Sequence, residues 1–168
     1  ELMNSYNIKS IVTTCPHCFN TIKNEYPNLG GNYKVLHHTQ FLKNLLKEGK
    51  LKINGGYYKG KKITFHDPCY LGRANNEYEA PRELIEKLEL ELIEMKRCKS
   101  KGLCCGAGGA QMFKDAEEGN KEINIERTEE ALRTNTKIIG AGCPFCNTMI
   151  SDGVKSKKLD KDVKVMDI

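Results

Sequence analysis

The residues of this chain most able to do chemistry are its cysteines, and they are clustered. Eight occur in 168 residues. Cys15 and Cys18 flank Pro16-His17, and Cys143 and Cys146 flank Pro144-Phe145. Cys104 and Cys105 are adjacent, while Cys69 and Cys98 stand alone. Thiolates are soft metal ligands and also the nucleophiles of disulfide exchange. No secretory apolar segment opens the chain, so a disulfide-forming compartment has no support. The cysteines are also too sparse for a small disulfide scaffold. Clustered thiols in a chain of cytoplasmic type point to metal, cluster or redox chemistry. Glycines in Gly106-Ala107-Gly108-Gly109 directly follow the Cys104-Cys105 pair. Lacking Cβ, they let backbone approach a bulky ligand and aim N–H groups at sulfur.

An internal repeat indicates what positions these thiols. Ile11-Val12-Thr13-Thr14-Cys15-Pro16-His17-Cys18 matches Ile139-Gly140-Ala141-Gly142-Cys143-Pro144-Phe145-Cys146. Lys34-Val35-Leu36-His37 follows the first site as Lys164-Val165-Met166-Asp167 follows the second. Each unit reads strand, Cys-Pro-x-Cys, helix, strand. The β-branched pairs Ile11-Val12 and Ile138-Ile139 suit buried strands. Pro16 and Pro144 suit a first helical turn, whose free N–H groups favour a thiolate placed there. Between the units, Thr39 to Lys50 has apolar residues at helical spacing, with Thr39 as N-cap. Asn54-Gly55-Gly56 signals a turn. Lys62 to Phe65 reads as a strand, Ala80 to Leu90 as a helix, Leu92 to Met95 as a strand, and Glu117 to Arg133 as a helix. The expected fold is α/β, with mainly parallel sheets flanked by helices and the cysteine loops on one edge. The expected division is 1–56 as the end of a first repeat and 57–168 as a complete second one. Because the chain begins with Glu1 rather than Met, it is expected to be a fragment of a longer protein.

Composition narrows the function classes. Hydrophobic residues make up 39%, aromatics 7%, and Trp is absent, so Ile, Leu and Val must build the core. No apolar run reaches the length of a membrane span. The formal charge is +5. Lys155, Lys157, Lys158, Lys161 and Lys164 crowd one end, but acids are interleaved and no aromatic platform accompanies them. A solvated surface is expected there rather than a nucleic-acid site.

The pattern Cys69…Cys104-Cys105-Gly106…Cys143-Pro144-x-Cys146 resembles the CCG, or cysteine-rich, domain. That domain occurs in heterodisulfide reductase subunits and related iron–sulfur oxidoreductases. The strings His66-Asp67-Pro68-Cys69-Tyr70-Leu71-Gly72-Arg73 and Glu126-Arg127-Thr128-Glu129-Glu130-Ala131 extend the likeness to electron-transfer-flavoprotein:quinone oxidoreductases. The resemblance implies a non-cubane 4Fe-4S cluster on Cys69, Cys104, Cys105, Cys143 and Cys146. It leaves Cys15 and Cys18 as ligands of a second site, holding zinc or another cluster. It implies an electron-transfer module of an oxidoreductase, between a flavoprotein or dehydrogenase and a quinone- or disulfide-linked acceptor. Expected partners are other redox subunits or domains: a flavoprotein, a ferredoxin-like domain or a membrane quinone or haem subunit. No nucleic-acid partner and no membrane span is expected. The expected location is cytoplasmic, or the cytoplasmic face of a membrane as part of a larger protein.

Two other functions compete: a catalytic disulfide or heterodisulfide reductase, and a zinc-bound docking module with no redox role. Two Cys-Pro-x-Cys pairs could share one tetrathiolate zinc, but that leaves Cys69, Cys104 and Cys105 unexplained. Cys98 fits no ligand position and is expected to be an ordinary thiol. His66 is expected to serve structure before ligation. His37-His38 ends a strand on the cysteine edge. Arg73 and Arg127 could face the cluster or an anionic partner, but surface ion pairing is the default expectation, and Tyr57-Tyr58 is expected in packing.

Overall fold

A computed structural model describes residues 1–53, 56–116 and 118–168. After a single turn of helix, α1 (Leu2–Ser5), the chain forms β1 (Ser10–Thr13), α2 (Pro16–Asn20), β2 (Lys34–His37) and α3 (His38–Lys47). It continues through β3 (Lys62–His66), α4 (Glu79–Lys87), β4 (Glu91–Leu92), α5 (Ile123–Leu132), β5 (Ile138–Ala141), α6 (Pro144–Ser156) and β6 (Lys164–Asp167). β1 and β2 pair in a two-stranded parallel sheet. The other four strands form a second parallel sheet in the order β4-β3-β5-β6. The chain is therefore α/β with parallel sheets flanked by helices.

Strand alternation builds a core on both faces of the larger sheet. Ile138 packs with Ile63, Phe65 and Ile85 of α4. Its neighbour Ile139 points the other way, into Met95, Ala131 of α5, and Ile150 and Val154 of α6. α5 and α6 cross closely at Gly153, where a Cβ would lie 2.1 Å from Thr128 Oγ1. The smaller sheet buries Phe19 and Val35 together with Leu71, contributed from beyond β3. Leu71 thus ties the two sheets into one packed body.

The strand order reverses direction at β3. From β3 the chain steps to β4 on one side, then returns to β5 on the other. Such a switch leaves a crevice beyond the carboxyl ends of the two central strands. His66 ends β3 and Ala141 ends β5, paired in register. Cys69 and Cys143 follow those two ends within three residues.

Several element boundaries differ from the sequence-based expectation. His37, not Thr39, caps α3: its backbone N–H donates to Gln40 Oε1 at 3.1 Å, completing a capping box. Thr39 lies inside the helix, buried, its hydroxyl 2.8 Å from His37 Nδ1. β4 ends at Leu92 rather than Met95. Ile93 N–H still donates to Ile63 O, but Arg97 N–H donates to Glu130 Oε1 at 2.7 Å, drawing the chain off the sheet. α5 starts at Ile123, after Gly119-Asn120, residues that disfavour a helix interior. Its expected start at Glu117 lies outside the described residues. So do Asn54 and Gly55 of the expected turn.

Candidate functional site

Five thiols from three loops meet at the crevice. Cys69 follows β3, Cys104 and Cys105 sit in the glycine-rich loop, and Cys143 and Cys146 open α6. Neighbouring thiols act on one another in a chain, Cys69–Cys104–Cys105–Cys146–Cys143. Cys105, Cys143 and Cys146 are buried, walled by Ala107, Ala141, Met112, Phe145 and Met149. Cys69 and Cys104 are half-buried at the mouth. All eight cysteines are free thiols.

Local structure explains the placement. Cys143 is the N-cap of α6 and Pro144 its first residue. Phe145 and Cys146 therefore turn their N–H groups toward the Cys143 sulfur. Gly106 takes φ +91, which aims its N–H at Cys104 Sγ, 3.3 Å away. A Cβ there would lie 3.3 Å from the Asn124 backbone nitrogen, so α5 presses against this turn.

Crowding sorts the thiols by charge. Hydrogen bonds from Cys105 and Cys69, aided by Gly106 N–H, hold Cys104 far below the usual thiol range. Cys143 is also lowered, first by its bond with Cys146 and then by the helix N–H groups, against burial. Cys105 is pushed up to about 11, chiefly by Cys104. Cys69 is raised chiefly by Cys104, and Cys146 chiefly by Cys105 and Cys143. Cys104 and Cys143 thus give up protons more readily than Cys69, Cys105 and Cys146, whose protons a metal would have to displace. The donor set is all soft sulfur, which suits zinc or an iron–sulfur group. Tetrahedral zinc leaves a thiol over, whereas a multi-iron group can use five.

Cys15 and Cys18 form a separate pair. Cys15 caps α2 as Cys143 caps α6, and it hydrogen-bonds Cys18. Burial nonetheless raises the Cys15 thiol, and Cys18 is exposed. The residue between them reaches the main site. The His17 ring lies 4.3 Å from the Tyr70 ring and 5.4 Å, edge-on, from that of Phe145. His17 and Phe145 occupy the same slot of the two Cys-Pro-x-Cys motifs, so the repeat itself was the signal for this contact.

His66 is wholly buried, its ring beside Cys105 and Cys146, with donor atoms all within 4.8 Å of one another. Arg127 is no surface ion pair, contrary to expectation. It is wholly buried, donating from Nε to His66 Nδ1 at 2.9 Å and from Nη1 to Glu130 at 3.0 Å. Arg73 is exposed and donates to Gly102 O. His37 and His38 are both buried, their rings 4.3 Å apart, against Gly142 just before Cys143. Cys98 stands outside the thiol chain, its thiol raised by burial and by nearby Glu94 and Asp67. Tyr58 packs on the Ile63 core while Tyr57 is exposed, with Lys61 Nζ over its ring.

The profile of the CCG cysteine-rich domain matches residues 63–151. The chain is 46% identical over 163 residues to a probable iron-sulfur-binding oxidoreductase, FadF, of Bacillus subtilis, covering 96% of this chain and 23% of that protein. It is 42% identical over 174 residues to EtfAB:quinone oxidoreductase of Syntrophomonas wolfei, covering 100% of this chain and 24% of that one. It is 34% identical over 176 residues to a subunit of the dihydromethanophenazine:CoB–CoM heterodisulfide reductase of Methanosarcina barkeri, covering 100% of this chain and 41% of that protein. The chain thus spans less than half the length of each. Among the described residues no helix is long and apolar enough to cross a membrane.

Proposed function

We propose a function from one premise: the chain belongs to the CCG cysteine-rich domain family. It is an iron–sulfur electron-transfer module of an oxidoreductase. It passes electrons between a flavoprotein or dehydrogenase and a quinone- or disulfide-linked acceptor. The observation that carries this reading is the meeting of five thiols from three loops at the strand-order switch. Cys69, Cys104, Cys105, Cys143 and Cys146 are proposed to hold a 4Fe-4S group of non-cubane type, whose chemistry is to accept and release single electrons.

The chain's own residues do the rest. Gly106 N–H hydrogen-bonds Cys104 Sγ and the first N–H groups of α6 face the Cys143 sulfur, and such donors tune a cluster's potential. Ala107, Ala141, Met112 and Met149 exclude water from the buried side. Cys69 and Cys104 remain at the mouth, where a donor or acceptor can approach. Cys15 and Cys18 are proposed to serve a second site, zinc or another cluster, since they pair apart from the five. The 1–56 and 57–168 division is kept as a proposal, supported by the two copies of strand, Cys-Pro-x-Cys, helix and strand. A catalytic disulfide reductase is the second reading. It is favoured by five sulfurs where a cubane needs four, and by the likeness to a heterodisulfide reductase polypeptide.

Anaerobic reconstitution with iron, sulfide and zinc analysis and EPR tests the first reading. About four irons per chain are expected, retained in Cys98→Ser and lost in Cys105→Ser. Stoichiometric zinc with no iron-dependent absorbance or EPR signal would overturn it.

A further inference from the structure

His66 lies at the carboxyl end of β3, on the floor of the crevice, with no exposed surface. Its two ring nitrogens face different partners. Nδ1 lies 2.9 Å from Arg127 Nε. Nε2 is buried without a hydrogen-bond partner among the described residues, in a ring with a donor atom within 4.8 Å of the Cys105 and Cys146 sulfurs. Arg127 cannot swing away. It is wholly buried, and its Nη1 donates both to Arg97 O at 2.8 Å and to Glu130 Oε2 at 3.0 Å. Glu130 is in turn held by Arg97 N–H and by Arg97 Nε at 2.9 Å.

A guanidinium has five donors, no acceptor and a charge it does not lose. Nδ1 facing it must therefore supply a lone pair. A neutral imidazole carries one ring proton, so that proton sits on Nε2. A doubly protonated ring would set an Nδ1–H against the Nε–H of the buried Arg127, so the ring is neutral. We infer that His66 is a fixed Nε2–H donor aimed at the sulfurs of Cys105 and Cys146, and that Arg127 is the positioning residue that locks its tautomer. Ligation by His66 is excluded on the same ground. A lone pair on Nε2 would move the proton to Nδ1, against the Nε–H of Arg127. The consequence for function rests on the proposed iron–sulfur reading. A hydrogen bond to a ligating sulfur stabilises the more negative, reduced state and so raises the potential.

Two measurements separate this inference from that reading. The first is made on ¹⁵N-labelled metal-free protein, by long-range proton–nitrogen correlation across the imidazoles. The His66 ring is identified by its disappearance in His66→Gln. A protonated Nε2 and bare Nδ1 are expected in the wild type, with the other tautomer appearing in Arg127→Met. A proton on Nδ1 in the wild type would overturn the inference. The second is a redox titration of iron-loaded protein followed by EPR. His66→Phe, with iron content unchanged, is expected to shift the reduction equilibrium roughly tenfold toward the oxidised state, about 59 mV for one electron. His66→Gln keeps an oxygen to accept from Arg127 and an N–H to donate to sulfur, and is expected to recover most of the shift. An unchanged potential in iron-loaded His66→Phe would overturn the inference. Loss of iron from both variants would make His66 a ligand and overturn it too. A wild type that takes up no iron fails the functional reading alone, because the tautomer is read without metal.

Discussion

Acid should unfold this protein partly through His37. The side chain is wholly buried at the junction of β2 and α3, with Nδ1 2.8 Å from Thr39 Oγ1 and Nε2 without a hydrogen-bond partner among the described residues. Burial, and then the neighbouring His38, pull its pKa from the ordinary 6.5 down to about 4. The unfolded chain therefore takes up the proton first. Stability is full above about pH 7 and is lost as pH falls from about 6.5 toward 4. The folded value near 4 caps the loss at about 3.4 kcal/mol, and about 2 kcal/mol is gone by pH 5. For a chain of this size that is about 4–8 °C in melting temperature. Thermal unfolding followed by circular dichroism, at about pH 7.5 and about pH 5, reads it directly. His37→Asn isolates the cause, because Asn still caps the helix but does not titrate. The variant starts less stable, having lost a buried ring, yet its midpoint should move less with pH than the wild type's by about that amount. Equal pH shifts in the two proteins would refute the reasoning.

Gly153→Ala should destabilise by about 1–3 kcal/mol in urea unfolding, since the new methyl would meet Thr128 Oγ1 at 2.1 Å and Thr128 Cβ at 2.9 Å. Arg82→Met should cost about 3–5 kcal/mol in the same assay. It removes both bonds to the buried carboxylate of Asp67, at 2.8 and 3.0 Å, and leaves that charge only the Lys99 N–H.

The frame of this fold was legible because its signals are local. Ile138-Ile139 declared a two-faced strand, and a proline after each capping cysteine declared a helix start. Parallel strands then put the loops after β3 and β5 at one edge, so the approach of Cys69 to Cys143 and Cys146 could be anticipated. What escaped depends on tertiary neighbours. Glu126-Arg127-Thr128-Glu129-Glu130 reads as a solvated helix face. Only the arrival of the chain at Arg97 and His66 makes burying Arg127 tolerable, because those groups accept from its Nε and Nη1 and balance Glu130. The cap of α3 moved by two residues because a histidine side chain with a glutamine three positions on can close the same box as a hydroxyl. Neither choice leaves a mark in hydrophobic spacing.

The charge pattern of the thiols bears on how the site fills. Five gathered thiolates would repel one another strongly, and in the metal-free fold the crowding raises Cys69, Cys105 and Cys146 while Cys104 and Cys143 are lowered. The sulfurs are already gathered in that state, held by hydrogen bonds and by a core of Ile63, Phe65, Ile139 and Ile150 that owes nothing to metal. Filling the proposed site would then exchange thiol protons for cationic charge rather than drive folding, unlike a zinc finger. The two lowered thiols are a half-buried one at the mouth, beside Gly106 N–H, and a buried one at the start of α6. Incoming metal would meet Cys104 before Cys143, because Cys104 is only half-buried and is held far below the usual thiol range. The deeper thiols lose their protons only once a cation stands beside them. A site arranged this way holds its ligands in place before loading, and the glycine loop that carries Cys104 is the part of the protein on which entry depends.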